Sequence, residues 1–239
     1  MIKLFGKIRQ DMIIKNKVTN YLLYAIGEIL LVMIGILLAL QVNNWNETRM
    51  QQNELKSILK TVSLDLERDT IVAAGIIKYY KENEKSSMKI INKEISIGNY
   101  KECPTCPSLV SIYRPFIIQT KGFDLIKKYS NQNTVKNDTL ITNITQFYTI
   151  LSGLIDDSNS FIKKEVLNNI ESFKKQPWFV DWAQGNITKE MIQYFAESKD
   201  YRKRVASHNL LAAKNHLLFI NLYNKGAKRI LNKLEEKMQ

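Results

Sequence analysis

Apolar positions along the chain fall into four runs, and each predicts a helix. The first is continuous: Tyr21 to Val42 (YLLYAIGEILLVMIGILLALQV) is almost wholly apolar except for one carboxylate, Glu28. A helix of that length spans a bilayer. In the second run, Leu55, Leu59, Val62, Leu66, Ala73, Ile76 and Tyr80 recur at three- and four-residue steps, interrupted only by Asp69. That is the spacing of one helix face or of a coiled-coil seam. No proline precedes Pro104, so the span is expected to run on as one rod, with a break near Asn43 to Asn46. A third stripe passes through Leu140, Ile144, Phe147, Leu151, Leu154, Phe161, Leu167, Ile170 and Phe173. It follows the capping candidates Asn137, Asp138 and Thr139 and stops before Pro177. The fourth helix is expected to begin near Thr188 and to carry Met191, Phe195, Tyr201, Val205, Leu211, Leu218, Leu222, Ile230 and Leu234, with Gly226 weakening it only locally.

Between the second and third runs lies an irregular stretch, residues 97–115, which holds three of the four prolines and both cysteines. Phe116 to Ser130 is expected to be a short helix. Val110 to Tyr113 and Pro115 to Ile118 are the only segments with the character of short pairing strands. The fold class predicted is all-α: one N-terminal transmembrane helix continuing towards an ectodomain of three or four long antiparallel helices. The domain boundaries that follow are an amphipathic interfacial segment at 1–19, the span at 20–43, and an extracytoplasmic helical domain at 44–239 with the Cys/Pro loop at 97–115.

Charge sets the orientation. Lys3, Lys7, Arg9, Lys15 and Lys17 precede the span with only Asp11 opposing them, whereas Arg49 and Lys56 after it are accompanied by Glu47 and Glu54. The amino end is therefore expected in the cytoplasm and the large remainder in the periplasm of a bacterial inner membrane. The apolar run is too long for a cleaved signal peptide and reads as an uncleaved anchor. Ile2, Phe5, Ile8 and Met12 sit at helical spacing, which would lay the first residues along the membrane with Lys3, Lys7 and Arg9 against anionic headgroups. Trp45, just past the span, has the position of an interfacial belt residue. The formal charge of the whole chain is +12, and from Lys199 to Gln239 ten Lys or Arg stand against three Asp or Glu. Such a surplus suits membrane lipid, an anionic envelope component or an acidic protein face; a solvated helix face is the plainer account of most of it. Nucleic acid is not an expected partner for a domain facing away from the cytoplasm.

Glu28 is the sharpest candidate for chemistry, because a carboxylate inside a span is costly unless protonated, paired or turned towards protein. Gly27, Leu31, Gly35 and Ala39 lie along a neighbouring face, and Gly35 and Ala39 form a small-xxx-small pair that admits a second helix closely. Together they predict helix packing in the membrane, with itself or with another inner-membrane protein. Cys103 and Cys106 allow a structural disulfide, a redox dithiol or half of a metal knuckle, and an oxidising periplasm favours the disulfide. A zinc site would need His208 and His216, eight apart on one helix, to meet that loop. No catalytic or metal-binding residue and no cofactor is assigned. Phosphate-binding glycine loops, nucleophile elbows, HExxH and dinucleotide fingerprints are all absent from the sequence. The cluster Pro177, Trp178, Phe179, Asp181 and Trp182 suits either a packed helix corner or a contact surface.

The block Tyr24-Ala-Ile-Gly-Glu-Ile, then Ile34-Gly-Ile, then Ala39-Leu-Gln-Val-Asn-Asn-Trp-Asn-Glu47, preceded by Lys7-Ile-Arg-Gln, resembles the opening of an uncharacterised family of single-span proteins. That family is abundant in Bacteroidota, particularly flavobacteria, and is known as a domain of unknown function. Resemblance covers about residues 1–50 and loosely reaches Phe123-Asp-Leu-Ile and Phe147-Tyr148. It implies an inner-membrane, helical, non-catalytic protein and supplies no activity. The Cys103/Cys106 pair is no part of the resemblance. Two functions from different classes follow. One is a non-catalytic scaffold or accessory subunit of an oligomeric or multi-protein inner-membrane complex. The other is a periplasmic ligand- or envelope-sensing helical domain that signals through a separate partner, since only about twenty residues are expected in the cytoplasm.

Overall fold

Helices form over the apolar runs, and their ends fall where the sequence supplies caps. In a computed structural model, which describes residues 18–132 and 138–238, α1 occupies Val18–Ile91. Asn43 to Asn46 are helical, contrary to the break expected there. Neither Gly nor Pro occurs between Gly35 and Gly75, and asparagine costs a helix well under 1 kcal/mol, so nothing interrupts the ladder. It stops where Lys93 adopts the left-handed region (φ 61°) and the Glu94 N–H turns back to the Lys89 carbonyl at 2.8 Å. Within α1 the chain divides into two units, Met1–Lys56 and Ser57–Gln239, each described here by itself.

In the second unit two 3₁₀ turns, Tyr100–Glu102 and Cys106–Ser108, precede α2 (Lys121–Gln132), α3 (Thr139–Phe173), α4 (Phe179–Gln184), α5 (Lys189–Glu197) and α6 (Lys199–Asn209). A π-helical segment, Leu210–His216, joins α6 to α7 (Leu217–Met238). No strand occurs among the described residues, and the helices pack as a bundle, so the fold is all-α. Asp138 caps α3, accepting from Leu140 N and Ile141 N at 2.9 and 3.4 Å. Thr188 caps α5 through Met191 N at 3.3 Å. Ser198 ends α5 and caps α6 through Asp200 N and Tyr201 N, which splits the long fourth helix that the periodicity predicts.

The second stripe is the buried face of α1: Leu59, Val62, Leu66, Ala73, Ile76 and Tyr80 are all buried, as is the interrupting Asp69, while Leu55 at its start is half-buried. The third stripe needs correction. Leu140, Phe147, Leu154 and Phe161 repeat every seven residues, whereas a straight helix drifts about 20° per heptad from such a repeat. Exposure rises accordingly, from 7 % at Leu140 to 37 % at Leu154 and 56 % at Phe161. The face that packs runs instead through Ile144, Tyr148, Ile155, Ser158, Ile162, Val166, Asn169 and Phe173. The fourth stripe errs similarly. Leu218 and Leu222 are exposed, while His208, Asn209, Ala212, His216, Ile220, Tyr223 and Ala227 are buried. The true faces contain polar residues, which a search for apolar periodicity passes over.

Phe173 organises one end of the core. Its ring meets Trp178, Trp182, Tyr194, Phe195 and Tyr201 at centroid distances of 5.4 to 6.3 Å, so the aromatic cluster after Pro177 is a packed corner. Gly226 marks a close approach, because a Cβ there would lie 2.6 Å from the Phe147 ring. It is a contact point between α7 and α3 as well as a weak helix former.

Candidate functional site

Candidate residues gather in two regions: the membrane-length run, and a polar seam through the bundle. In the membrane-length run the large aliphatic side chains from Leu22 to Val42 are exposed along the whole helix, with Leu31 at 72 %. It is the one described helix long and apolar enough to cross a membrane, and none of its apolar window is buried. A Cβ on Gly27 or Gly35 would meet nothing within 4 Å, so both glycines keep an open strip of helix backbone. Ala39 is exposed on the same strip, and Glu28 at its edge is half-buried. Trp45 is 66 % exposed, with the Arg49 guanidinium 5.8 Å from its ring centroid. Lys3, Lys7 and Arg9 lie outside the described residues.

The seam exists because residues 103–120 cross the bundle with only the 3₁₀ turn Cys106–Ser108 before α2 begins at Lys121. Buried backbone needs partners, and with no strand beside it the helices supply side chains. Tyr80 on α1 both accepts from Arg114 N at 2.9 Å and donates to Arg114 O at 3.1 Å. Asn159 on α3 clamps Phe116 by the same double contact, at 3.0 and 2.8 Å. Asn169 donates to Val110 O at 3.1 Å and is itself held by Arg204. Trp182 donates to Pro107 O at 3.3 Å, and the Tyr201 hydroxyl to Cys106 O. Gln119 N and Gly122 N end the strap on two buried carboxylates of α1, Asp69 at 3.1 Å and Asp65 at 2.7 Å. Gly122 is required there: a Cβ would lie 2.7 Å from Val62 N and Cα. The helix expected at Phe116 accordingly starts only at Lys121, since the preceding backbone groups are committed to side chains.

Burial raises the Asp69 carboxyl to about 6, opposed by hydrogen bonds from Tyr223 and Gln119 N and reinforced by the neighbouring Asp65 charge. Burial likewise lowers both imidazoles, His208 and His216, to about 4. His216 Nδ1 lies 2.7 Å from Ser158 Oγ, the separation of a nucleophile and its base. The serine hydroxyl also lies 2.9 Å from Ile155 O, so that carbonyl competes with the imidazole for its proton, and the tautomer of His216 sets the direction of the pair. With Ser158 and His216 at 2 % and 0 % exposure, this pair is a structural pin between α3 and the π segment. Cys103 and Cys106 are bonded to each other and buried. Among the described residues no three His, Cys, Asp or Glu gather closely enough to hold a metal ion.

An open groove of about 520 Å³ lies on the surface, between Pro177, Trp178, Glu190, Gln193, Tyr194 and Glu197. The residues of the seam are distant in the chain and no local pattern joins them, whereas Pro177 and Trp178 of the groove belong to the cluster that the sequence marks as a packed corner or a contact surface.

The profile of a family described as a family of unknown function (DUF6090) matches residues 28–106. The similarity thus takes in most of the membrane-length run from Glu28 on, the buried stripe of α1 and the start of the strap, about a third of the chain. No curated protein and no solved structure matches the chain.

Proposed function

We propose that this protein is a non-catalytic, single-pass scaffold or accessory subunit of an inner-membrane complex, its amino end cytoplasmic and its helical bundle periplasmic. The observation that carries this reading is the strip of Gly27, Leu31, Gly35 and Ala39: exposed, small at three of four positions, and bordered by Glu28. Close backbone approach and a hydrogen-bonding carboxyl are what bring spans together where lipid removes the hydrophobic driving force. Partners are a second copy of this chain or another inner-membrane protein. The asymmetry of basic flanks supports the orientation.

The test is the mass of the complex extracted from its native membrane, for the natural chain and for Glu28→Gln and Glu28→Leu. Assembly should survive Glu28→Gln, which keeps a hydrogen-bonding group, and weaken about fivefold or more in Glu28→Leu. Equal assembly by all three would dismiss Glu28 as a contact. A lone monomer would move the weight to a sensing ectodomain, the second reading, which the aromatic and carboxylate-lined groove at Trp178 and Glu190 favours.

A further inference from the structure

The exposed face of α7 carries no packing role in the bundle. Leu218 and Leu222, 50 % and 48 % exposed, stand one helical turn apart. The same stripe continues through exposed Lys225 and Arg229, flanked by exposed Lys228 and Lys233. None of these four cations forms an ion pair among the described residues, whereas Lys214 on the preceding segment reaches Glu84 and Lys237 reaches Asp138. Opposing charge on α7 comes only at its end, from Glu235 and Glu236. A helix with leucines at one end of its outer face and unpaired cations along the rest matches a surface that is apolar beneath and negative on top.

We propose that this face of α7 docks on the anionic phospholipid headgroups of a bilayer, with Leu218 and Leu222 entering the interface and Lys225, Lys228, Arg229 and Lys233 meeting phosphates. Charge complementarity identifies the occupant: basic residues near an anionic leaflet are each attracted to it, and leucines give a purchase that a purely ionic contact lacks. The inference rests on the reading that residues 21–42 cross a membrane, because the span then keeps the bundle tethered to a lipid surface at high effective concentration.

The experiment uses the full chain in nanodiscs of phosphatidylcholine alone or mixed with phosphatidylglycerol. An apolar environment-sensitive fluorophore is attached at Leu222→Cys under non-reducing conditions, with Cys103 and Cys106 bonded and buried. Spin-labelled lipid should quench it in anionic discs, little in neutral ones, and less as salt is raised. Lys225→Gln and Arg229→Gln should each lower the docked-to-undocked ratio about fivefold. A second label at Leu38→Cys separates the two readings. If it is not quenched, the anchoring itself fails. Quenching at Leu38 but none at Leu222 overturns the lipid-docking face alone, as does equal quenching at Leu222 in neutral and anionic discs.

Discussion

Two stretches of α1 are both rich in aliphatic side chains and dispose of them in opposite ways. Between Leu22 and Val42 every large aliphatic is exposed; from Ile58 to Ile90 one face is buried, with Val62 and Leu66 at 0 % exposure. The second stretch also buries two carboxylates, Asp65 and Asp69, while the first contains Glu28 alone. The difference lies in what each helix must satisfy. A helix in lipid closes its own backbone hydrogen bonds and needs no polar side chain for them. The bundle segment of α1 lies against a non-helical strap whose N–H groups have no carbonyl ladder, so its inward face has to provide acceptors.

Truncation gives the largest contrast between these two kinds of apolar residue. Ile162→Ala, at a fully packed position of α3, should cost about 2–5 kcal/mol in thermal unfolding of the detergent-solubilised chain. Leu31→Ala in the span should leave that transition unmoved and show itself only in the mass of the assembly. The strap comes next. Asp65→Ala strands Gly122 N and should cost about 1–3 kcal/mol; Gly122→Ala forces a methyl against Val62 backbone and should cost a similar amount. Equal stability of both variants with the natural chain would mean that the strap needs no acceptor from α1.

The effect of pH is a difference between opposing shifts. His208 and His216 titrate near 4 in the folded chain against about 6.5 when unfolded. Their contribution is present above pH 6.5 and lost as pH falls through 4. Asp69, near 6 when folded against 3.8 unfolded, contributes most below pH 3.8 and loses that contribution as pH rises through 6. Two groups outweigh one, so the melting temperature should fall between pH 7 and pH 4, by an amount equivalent to roughly 1–3 kcal/mol. Asp69→Asn should steepen the fall by removing the opposing group.

How much of this was legible in the sequence depended on whether polar residues entered the buried faces. Along α1 they did so only at Ser63, Asp65, Asp69 and Ser87, and the apolar stripe was correctly phased. On α3 and α7 the packed faces contain Ser158, Asn169, His208, Asn209 and His216. Apolar periodicity alone therefore drew Phe161, Leu218 and Leu222 into stripes they do not occupy. The apolar run from Leu22 to Val42 is legible because length and local composition alone mark a helix able to cross a bilayer. The strap was not, since each of its partners is remote in sequence and no turn or periodicity announces them. The basic surplus after Lys199 was visible as a count; the leucines that share its face were not.

The side chains that hold the strap also dictate when it can settle. Arg114 waits on Tyr80, already synthesised, but Phe116 waits on Asn159, Val110 on Asn169, and Cys106 on Tyr201, 43, 59 and 95 residues further along. Asp69 receives its Tyr223 hydroxyl only after 154 more residues have been made. A chain emerging amino end first thus holds its midsection unlatched until Tyr201 and Tyr223 have been made, and loop closures of that length slow folding. Disulfide closure between Cys103 and Cys106, only three residues apart, needs none of those distant partners and is free to precede them.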